Sequence, residues 1–128
     1  MTTAKKIVLD CFENMFVHKD FDAASTNVHP DFVTHSPGFP SGRDAFVEAM
    51  RNSPMAGADV AVKRVIADDE HVVVHLHVVR PGEELGAAVV DIVRVTDGLI
   101  VEHWDVKQPV PPGAEMFQGL ERQSSLGR

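Results

Sequence analysis

The sequence predicts a single α+β domain in which helices cover one face of an antiparallel sheet. Up to residue 51, apolar side chains recur at helical spacing, whereas from residue 59 onward they alternate with polar ones in short strand-like runs. Helices followed by a meander of strands is the order typical of this class. The length of 128 residues fits one domain, because such a chain can bury a core but is too short for two.

The first helix is predicted in the stretch "TTAKKIVLDCFENMFVHKDF", with Thr2 or Thr3 able to cap its start. A stripe of apolar residues recurs along one side of it: Ile7, Val8, Cys11, Phe12, Met15 and Phe16. A turn and a short second helix are expected in "HKDFDAASTNV".

The third helix follows a brief extended piece around Phe32 to His35 and a Pro/Gly loop. Ser41, with Asp44 three residues later, resembles a capping box in which Asp replaces the usual Glu or Gln. The buried stripe of this helix is predicted to be Ala45, Phe46, Ala49 and Met50.

Four strands are predicted from the runs "DVAVKRVIA", "HVVVHLHVV", "GAAVVDIVRV" and "LIVEHWDVK". In the second run the odd positions from His71 to Val79 share one face, and the even positions share the other. We expect the odd face to line a pocket. The aliphatic even face then has to meet a dimer partner or the remaining packing of the sheet.

The register of the last hairpin decides which residues share a face. A two-residue Asp-Gly turn would set Asp91 opposite Trp104, whereas a three-residue loop with Gly98 in the left-handed conformation sets Asp91 opposite His103. We favour the three-residue loop, because it gives partners to charges on both faces and brings Arg94 diagonal to Glu102. The predicted pocket face carries His75, His77, Asp91, His103 and Asp105, interleaved with Val73, Val89, Val93 and Val101.

The composition of the chain excludes some classes of binding partner. A formal net charge of −7, without clustered Lys and Arg, argues against nucleic acid. No apolar run reaches the length of a membrane span, and the start of the chain lacks the apolar region of a signal peptide. The single Cys11 fits a reducing compartment. We therefore expect a cytoplasmic protein that binds neither nucleic acid nor membrane.

The stretches "FVTHSPGFPSGRDAFVEAM" and "VVDIVRVTDGLIVEHWDVKQPVP" resemble the SnoaL-like polyketide cyclase family, part of the superfamily that includes nuclear transport factor 2 and ketosteroid isomerase. The resemblance extends from about residue 5 to 117. It implies a cone-shaped α+β barrel, with three N-terminal helices packed on a curved antiparallel sheet. The domain would span residues 1–117, and the polar residues 118–128 would form a flexible tail.

The resemblance also implies roles for particular residues. Asp91 falls where the isomerase keeps an acid that donates to the substrate oxygen, and where cyclases of this type use an acid/base residue. His35 falls at the position of the isomerase's base. Phe12 stands where the isomerase has a Tyr, and the chain contains no Tyr, so the usual steroid reaction is not expected.

The predicted reaction is therefore proton abstraction next to a carbonyl, followed by aldol-type cyclisation or isomerisation. We predict Asp91 as the central acid/base, His35 as base or positioning group, and a relay formed by His77, His103 and Asp105. The predicted substrate-binding residues are Phe12, Phe16, Phe39, Val73, His75, Val89 and Val93. Such a reaction requires no cofactor, and its substrate would be a small hydrophobic carbonyl compound.

Two alternatives remain open at this stage. The chain could be a non-catalytic small-molecule binding protein of the same fold. It could also hold a metal through His75 and His77, with His35, His103 or a carboxylate as third ligand. A C2 homodimer through the sheet is expected in either case. The apolar face predicted for that contact consists of Val72, Val74, Leu76, Ala88, Val90 and Trp104.

Overall fold

The computed structural model describes residues 3–117, which form three α-helices packed against a five-stranded sheet. The helices are α1 (Ala4–Phe12), α2 (Phe21–Ser25) and α3 (Arg43–Arg51). The strands are β1 (Val28–Thr34), β2 (Asp59–Ala67), β3 (His71–Val79), β4 (Ala87–Thr96) and β5 (Leu99–Pro109). The flexible tail predicted for residues 118–128 lies outside the described residues.

Helix α1 begins as predicted, with the Thr3 hydroxyl accepting a hydrogen bond from the backbone N–H of Lys6 at 3.2 Å. It continues into a π-helical turn, Glu13–Val17, which keeps Met15 in the core. The ring of Phe16 meets that of Phe12 edge-on at 5.6 Å. None of the helices in the described range is long and apolar enough to cross a membrane.

The start of α3 differs from the prediction. Gly42 occupies the N-cap position with φ 92°, so no side chain caps the helix there. Ser41 instead accepts a hydrogen bond from the backbone N–H of Thr34 at 3.0 Å. The predicted capping box is wrong, because a glycine with positive φ turns the chain and leaves Ser41 beside β1.

The strand order is β1-β5-β4-β3-β2, and the sheet is mixed rather than wholly antiparallel. β2 to β5 form the expected antiparallel meander, whereas β1 pairs parallel with β5, with Thr34 opposite His103. The segment containing α3 carries the chain from β1 to the far edge of the sheet. β5 therefore returns beside β1 and runs in the same direction.

The hairpin between β4 and β5 also corrects the prediction. Asp97 and Gly98, both with positive φ, form a two-residue turn, and Thr96 pairs directly with Leu99. A register irregularity between Arg94 and Val95 then shifts the pairing.

Because of this shift, Asp91 lies opposite Asp105 rather than His103, and Arg94 lies directly opposite Glu102. The predicted register was therefore wrong by two residues. A shift of two preserves the alternation of side chains, so Asp91, His103 and Asp105 still share one face.

The core lies between the helices and the inner face of the sheet. On β3 the inner positions are the even ones, since Val74 pairs with Asp91 and Leu76 with Val89. Val72, Val74 and Leu76 are at most 2% exposed, and burying each such side chain contributes about 1.5–3 kcal/mol. This gain decides which face of β3 meets the helices, and it leaves the imidazoles on the outer face.

Candidate active site

A cavity of about 280 Å³ lies between the inner face of the sheet and the helices. Most of its wall is aromatic or aliphatic, and its polar groups come from β4, β5, the residues just after β1 and the connection between β3 and β4. Of the predicted substrate-binding residues, five line it: Phe12, Phe16, Phe39, Val89 and Val93. Of the predicted catalytic residues, three do: Asp91, His103 and Asp105.

The first polar group is a chain of three side chains. His103 Nε2 is 2.9 Å from Asp91 Oδ1, and His103 Nδ1 is 2.9 Å from Thr34 Oγ1. The side chains of Asp91 and His103 are only 11% and 13% exposed, and Thr34 is buried. Both imidazole nitrogens are therefore engaged within an environment that excludes most water.

The hydrogen bonds favour one direction of donation along this chain. Thr34 Oγ1 accepts from the backbone N–H of Ser36 at 3.2 Å, which leaves its own hydrogen to be donated to His103 Nδ1. His103 then carries its proton on Nε2 and donates it to Asp91 Oδ1. The network thus assigns Asp91 as an acceptor with a second carboxyl oxygen left for other contacts.

The second polar group is a serine and a carboxylate. Ser36 Oγ donates to Asp105 Oδ2 at 2.6 Å, a short hydrogen bond. Ser36 is buried, and the Asp105 side chain is 8% exposed. Lys107, two residues further along β5, has its Nζ 3.8 Å from the same Asp105 oxygen.

Strand pairing brings the two groups together. The parallel pairing of β1 and β5 sets Thr34 beside His103, and His35 N–H donates to the backbone oxygen of His103 at 2.8 Å. The imidazole of His103 packs against two aromatic rings, with its centroid 6.5 Å from that of Phe32 and 6.3 Å from that of Phe46. Neighbouring elements thus fix the ring in the orientation that its hydrogen bonds require.

His35 lies on the outer face of the sheet rather than at the cavity, because it alternates with Thr34 and Ser36. Its Nε2 is 2.7 Å from Glu102 Oε2, and its ring stacks on Trp104 at 5.3 Å. Hydrogen bonds from His35 and then from Arg94 hold the pKa of Glu102 below its usual range. His35 thus belongs to an outer charged cluster with Glu102 and Arg94.

Three further predicted residues also lie on the outer face. Val73 pairs with Ile92, His75 with Val90 and His77 with Ala88, all facing away from Asp91. His77 Nε2 is 2.8 Å from the backbone oxygen of Leu85. Burial, and then the charges of Arg64 and Lys63, lower the pKa of His75. The imidazoles of His75 and His77 pack against Phe117, with their centroids 5.3 and 4.9 Å from the centroid of its ring. The predicted placement of Val73, His75 and His77 in the pocket is therefore wrong.

Thr34 and Ser36 are site residues that the sequence reasoning missed. In "FVTHSP" the even positions 32, 34 and 36 point to one side of an extended chain, and His35 points to the other. Phe32 is apolar and would have identified the even side as the inner one. That signal was present, but the prediction followed the titratable histidine instead.

The same inner cluster is where a metal ion could be held. One ligand atom each from Asp91, His103 and Asp105 lies within 4.8 Å of the others. Coordination through His103 Nε2 would replace its hydrogen bond to Asp91, while Thr34 could accept from Nδ1. His103 cannot complete the metal site predicted around His75 and His77, because it lies on the opposite face of the sheet. Within residues 3–117, a cluster of three such ligands is found at Asp91, His103 and Asp105 and not at His75 and His77.

Comparison with known proteins places the fold. No curated protein matches the sequence. An NTF2-like protein of unknown function from Cytophaga hutchinsonii superposes with a TM-score of 0.74 at 16% identity, over 85% of this chain and 93% of its own. An NTF2-like protein of unknown function from Burkholderia xenovorans gives 0.74 at 16% identity, over 97% and 92%.

A steroid delta-isomerase from Pseudomonas aeruginosa gives a TM-score of 0.69 at 21% identity, over 98% of this chain and 90% of its own. At these identities the likeness concerns the fold, and it confirms the predicted α+β cone. A family model described as the SnoaL-like domain matches residues 8–103, well over half of the chain. The chain therefore belongs to the SnoaL-like domain family.

Proposed function

We propose that this protein is an enzyme that removes a proton next to the carbonyl of a small apolar ketone and promotes isomerisation or aldol-type cyclisation. The observation that carries the proposal is the hydrogen bond of 2.9 Å between Asp91 and His103 inside a mostly apolar cavity. Burying such a pair is costly, and desolvated acid/base groups in a cavity are typical of catalytic sites.

Asp91 acts as the base in this proposal. Its Oδ1 is held by His103 Nε2–H, so the other carboxyl oxygen is positioned for the hydrogen next to the substrate carbonyl. Thr34 fixes the tautomer of His103 from behind. Because the positions of all three are set by β1, β4 and β5, little reorganisation is needed during reaction.

Asp105 and Ser36 serve the substrate oxygen. Removing the proton places negative charge on the carbonyl oxygen, which needs a nearby donor. Asp105, when it holds a proton, can donate through the oxygen that does not accept from Ser36. Asp105 lies directly opposite Asp91 in the sheet, so the base and the donor flank the same small volume.

The steps balance in protons. The C–H bond next to the carbonyl breaks, its proton passes to Asp91, and its electron pair forms the enolate. In an isomerisation Asp91 returns the proton at another carbon. In an aldol closure the enolate carbon attacks a second carbonyl of the same molecule, and the oxygen of that carbonyl takes up the proton that Asp91 holds, which returns Asp91 to its carboxylate form. The apolar walls formed by Phe12, Phe16 and Phe39 keep out water, which strengthens these interactions.

Solvent hydrogen exchange tests the proposal without knowledge of the natural substrate. The probe is 2-tetralone in deuterated buffer, and NMR follows deuterium incorporation next to its carbonyl. We expect the protein to accelerate the exchange, and Asp91→Asn to lower that acceleration about 100-fold. Glu102→Gln is the matched control, because it removes a carboxylate hydrogen-bonded to the other histidine, His35.

The exchange experiment also separates the enzyme from the non-catalytic binder. Binding of 2-tetralone with no acceleration of exchange in the wild-type protein would contradict the enzymatic proposal and favour a binding protein. Equal losses in Asp91→Asn and Glu102→Gln would contradict the assignment of the base to the cavity.

A further inference from the structure

We infer that Lys107 forms an anion-binding subsite at the mouth of the cavity, and that the ligand is a small ketone bearing a carboxylate a few bonds from its carbonyl. The ketone half of this inference rests on the proposed function. The anion half rests on the geometry of the cavity rim alone.

Strand β5 runs from the closed end of the cavity to its mouth. Of its inward-facing residues, Ile100 is buried, His103 and Asp105 are partly buried, and Lys107 and Pro109 are exposed. Lys107 pairs with Val89, which lies on the inner face, so its side chain starts from the cavity wall. A group held at Lys107 would therefore lie between the catalytic residues and solvent.

Lys107 is the more available of two cations on the rim. Arg80 is tied to Glu83 through its Nε at 3.2 Å and its Nη2 at 2.9 Å, and Glu83 also accepts from the backbone N–H of Arg80 at 2.9 Å. Their mutual hydrogen bonds raise the pKa of Arg80 and lower that of Glu83. Because Arg80 is already hydrogen-bonded to Glu83, its guanidinium group is less available to bind a ligand.

The partner of Lys107 is much looser. Its Nζ lies 3.8 Å from Asp105 Oδ2, beyond hydrogen-bond distance, and that oxygen already accepts from Ser36 at 2.6 Å. No hydrogen bond of the Lys107 ammonium group is found among residues 3–117. The side chain is 51% exposed, so it has room to turn towards an incoming anion.

The spacing of the site limits the ligand. Two residues along a strand span about 7 Å, so the carbonyl near Asp105 and the anion near Lys107 would be separated by a short linker. A cavity of about 280 Å³ is at the small end of the range of roughly 300–1,000 Å³ for small-molecule sites. One or two rings with a short acidic side chain fit these limits.

The net charge of the protein makes this subsite selective. The chain carries a formal charge of −7, and Asp91, Asp105 and Glu83 all line the cavity, so a carboxylate is repelled wherever no cation compensates. An anion held by Lys107 would also draw the ammonium group away from Asp105.

A matched pair of probes tests the subsite by binding alone. The probes are 4-oxo-4-phenylbutanoate and its methyl ester, which share the aryl ketone and differ in charge. Isothermal titration on the full chain should show the acid binding about tenfold more tightly than the ester. Lys107→Met should abolish this preference, and Lys107→Arg should retain most of it. Raising the salt concentration should weaken the binding of the acid and leave the binding of the ester unchanged.

Two further variants sharpen the result. Lys63→Met removes the same charge on the outer side of the sheet, where Lys63 lies over the ring of Phe117, and should leave the preference intact. Asp105→Asn should increase the affinity for the acid several-fold, because Lys107 loses its competing partner.

Equal affinities of acid and ester in the wild type would overturn the inference, as would a preference that survives in Lys107→Met. Failure of both probes to bind at millimolar concentration would also overturn it. Hydrogen exchange takes no part in this readout. A protein that prefers the acid through Lys107 but never exchanges 2-tetralone would lose the proposed reaction and keep the anion subsite.

Discussion

The two faces of the sheet each carry a histidine hydrogen-bonded to an acid, in very different surroundings. On the inner face His103 contacts Asp91 at 2.9 Å, and on the outer face His35 contacts Glu102 at 2.7 Å. The inner side chains are 13% and 11% exposed, whereas the outer ones are 47% and 22% exposed. Similar pair geometry therefore arises from one set of strands in both a dry and a wet environment.

The difference lies in what else each acid contacts. Glu102 also accepts from Arg94 Nε and Nη2, so its charge is neutralised by a permanent cation as well as by His35. Asp91 has no arginine or lysine among its hydrogen-bond or ion-pair partners in residues 3–117. The carboxylate of the outer pair is thus matched by a cation, whereas the inner pair is the one to which we assign the proposed proton transfer.

The two histidines are the positions at which we expect substitutions to differ most in their effect on exchange. We expect His103→Gln to lower the exchange of 2-tetralone about 100-fold, because Asp91 loses its oriented N–H donor. His35→Gln should change the rate by no more than about threefold, since it acts through the outer cluster alone. Parallel NMR exchange rates on the two variants make the measurement. A larger loss in His35→Gln would show that the outer face carries the chemistry.

Ser36 provides a smaller effect on the inner face. Ser36→Ala removes the donor to Asp105 Oδ2, and we expect exchange to fall about tenfold while the variant stays folded. Thr96→Val is the outer-face control, because Thr96 accepts a hydrogen bond from Arg94 at 3.2 Å. Exchange rates with circular dichroism spectra check both variants. An unchanged rate in Ser36→Ala would remove the serine from the site.

The prediction that Asp91 and Asp105 share the pocket face does not depend on the exact register of the hairpin. Alternation along β4 and β5 places Asp91, His103 and Asp105 on one face for any register that differs by an even number of residues. The predicted pairing was shifted by two, so the face was correct although the partner of Asp91 was not. The shorter turn and the irregularity after Arg94 each move the pairing by one residue, and the two displacements together leave the predicted face unchanged.

The outer histidines show where this reasoning fails. On β3, alternation separates His75 and His77 from Val74 and Leu76, but it does not say which set meets the helices. That choice depends on the total apolar area buried against α1 and its neighbours, a long-range quantity. The parallel pairing of β1 with β5 is equally non-local, and for that reason Thr34 was not expected beside His103.

The pH dependence of the free energy of unfolding tests the outer cluster without a measurement of catalysis. The pKa of Glu102 is lowered in the folded protein, first by His35 and then by Arg94. Such a group stabilises the fold above its unfolded pKa, near 4.5, and the contribution is lost as the pH falls through the lowered folded value. Urea unfolding should therefore show a steeper loss of stability below pH 4.5 in the wild type than in Glu102→Gln. Equal slopes would contradict the stabilising role of the outer cluster.

The outer face remains our proposed dimer surface, with its membership corrected. Val72, Val74 and Leu76 belong to the core, whereas Ala88, Val90 and Trp104 lie on the outer face as predicted. Strand pairing adds Ile66 and Val106 to this face, and they are 65% and 64% exposed. These apolar residues suit contact with a second copy related by two-fold symmetry, since each copy presents the same residues.

Val106→Asp provides the test with the smallest expected effect on the cavity. Val106 pairs with Val90 on the outer face, two strands from β3, and a carboxylate there would be buried without a partner in the dimer. We expect sedimentation velocity to show a dimer for the wild type and a monomer for the variant, while exchange of 2-tetralone changes less than twofold. A wild-type protein that sediments as a monomer would contradict the proposed contact. A monomeric variant that also loses exchange would show that the outer face supports the inner site, and the separation drawn between the two histidine pairs would then fail.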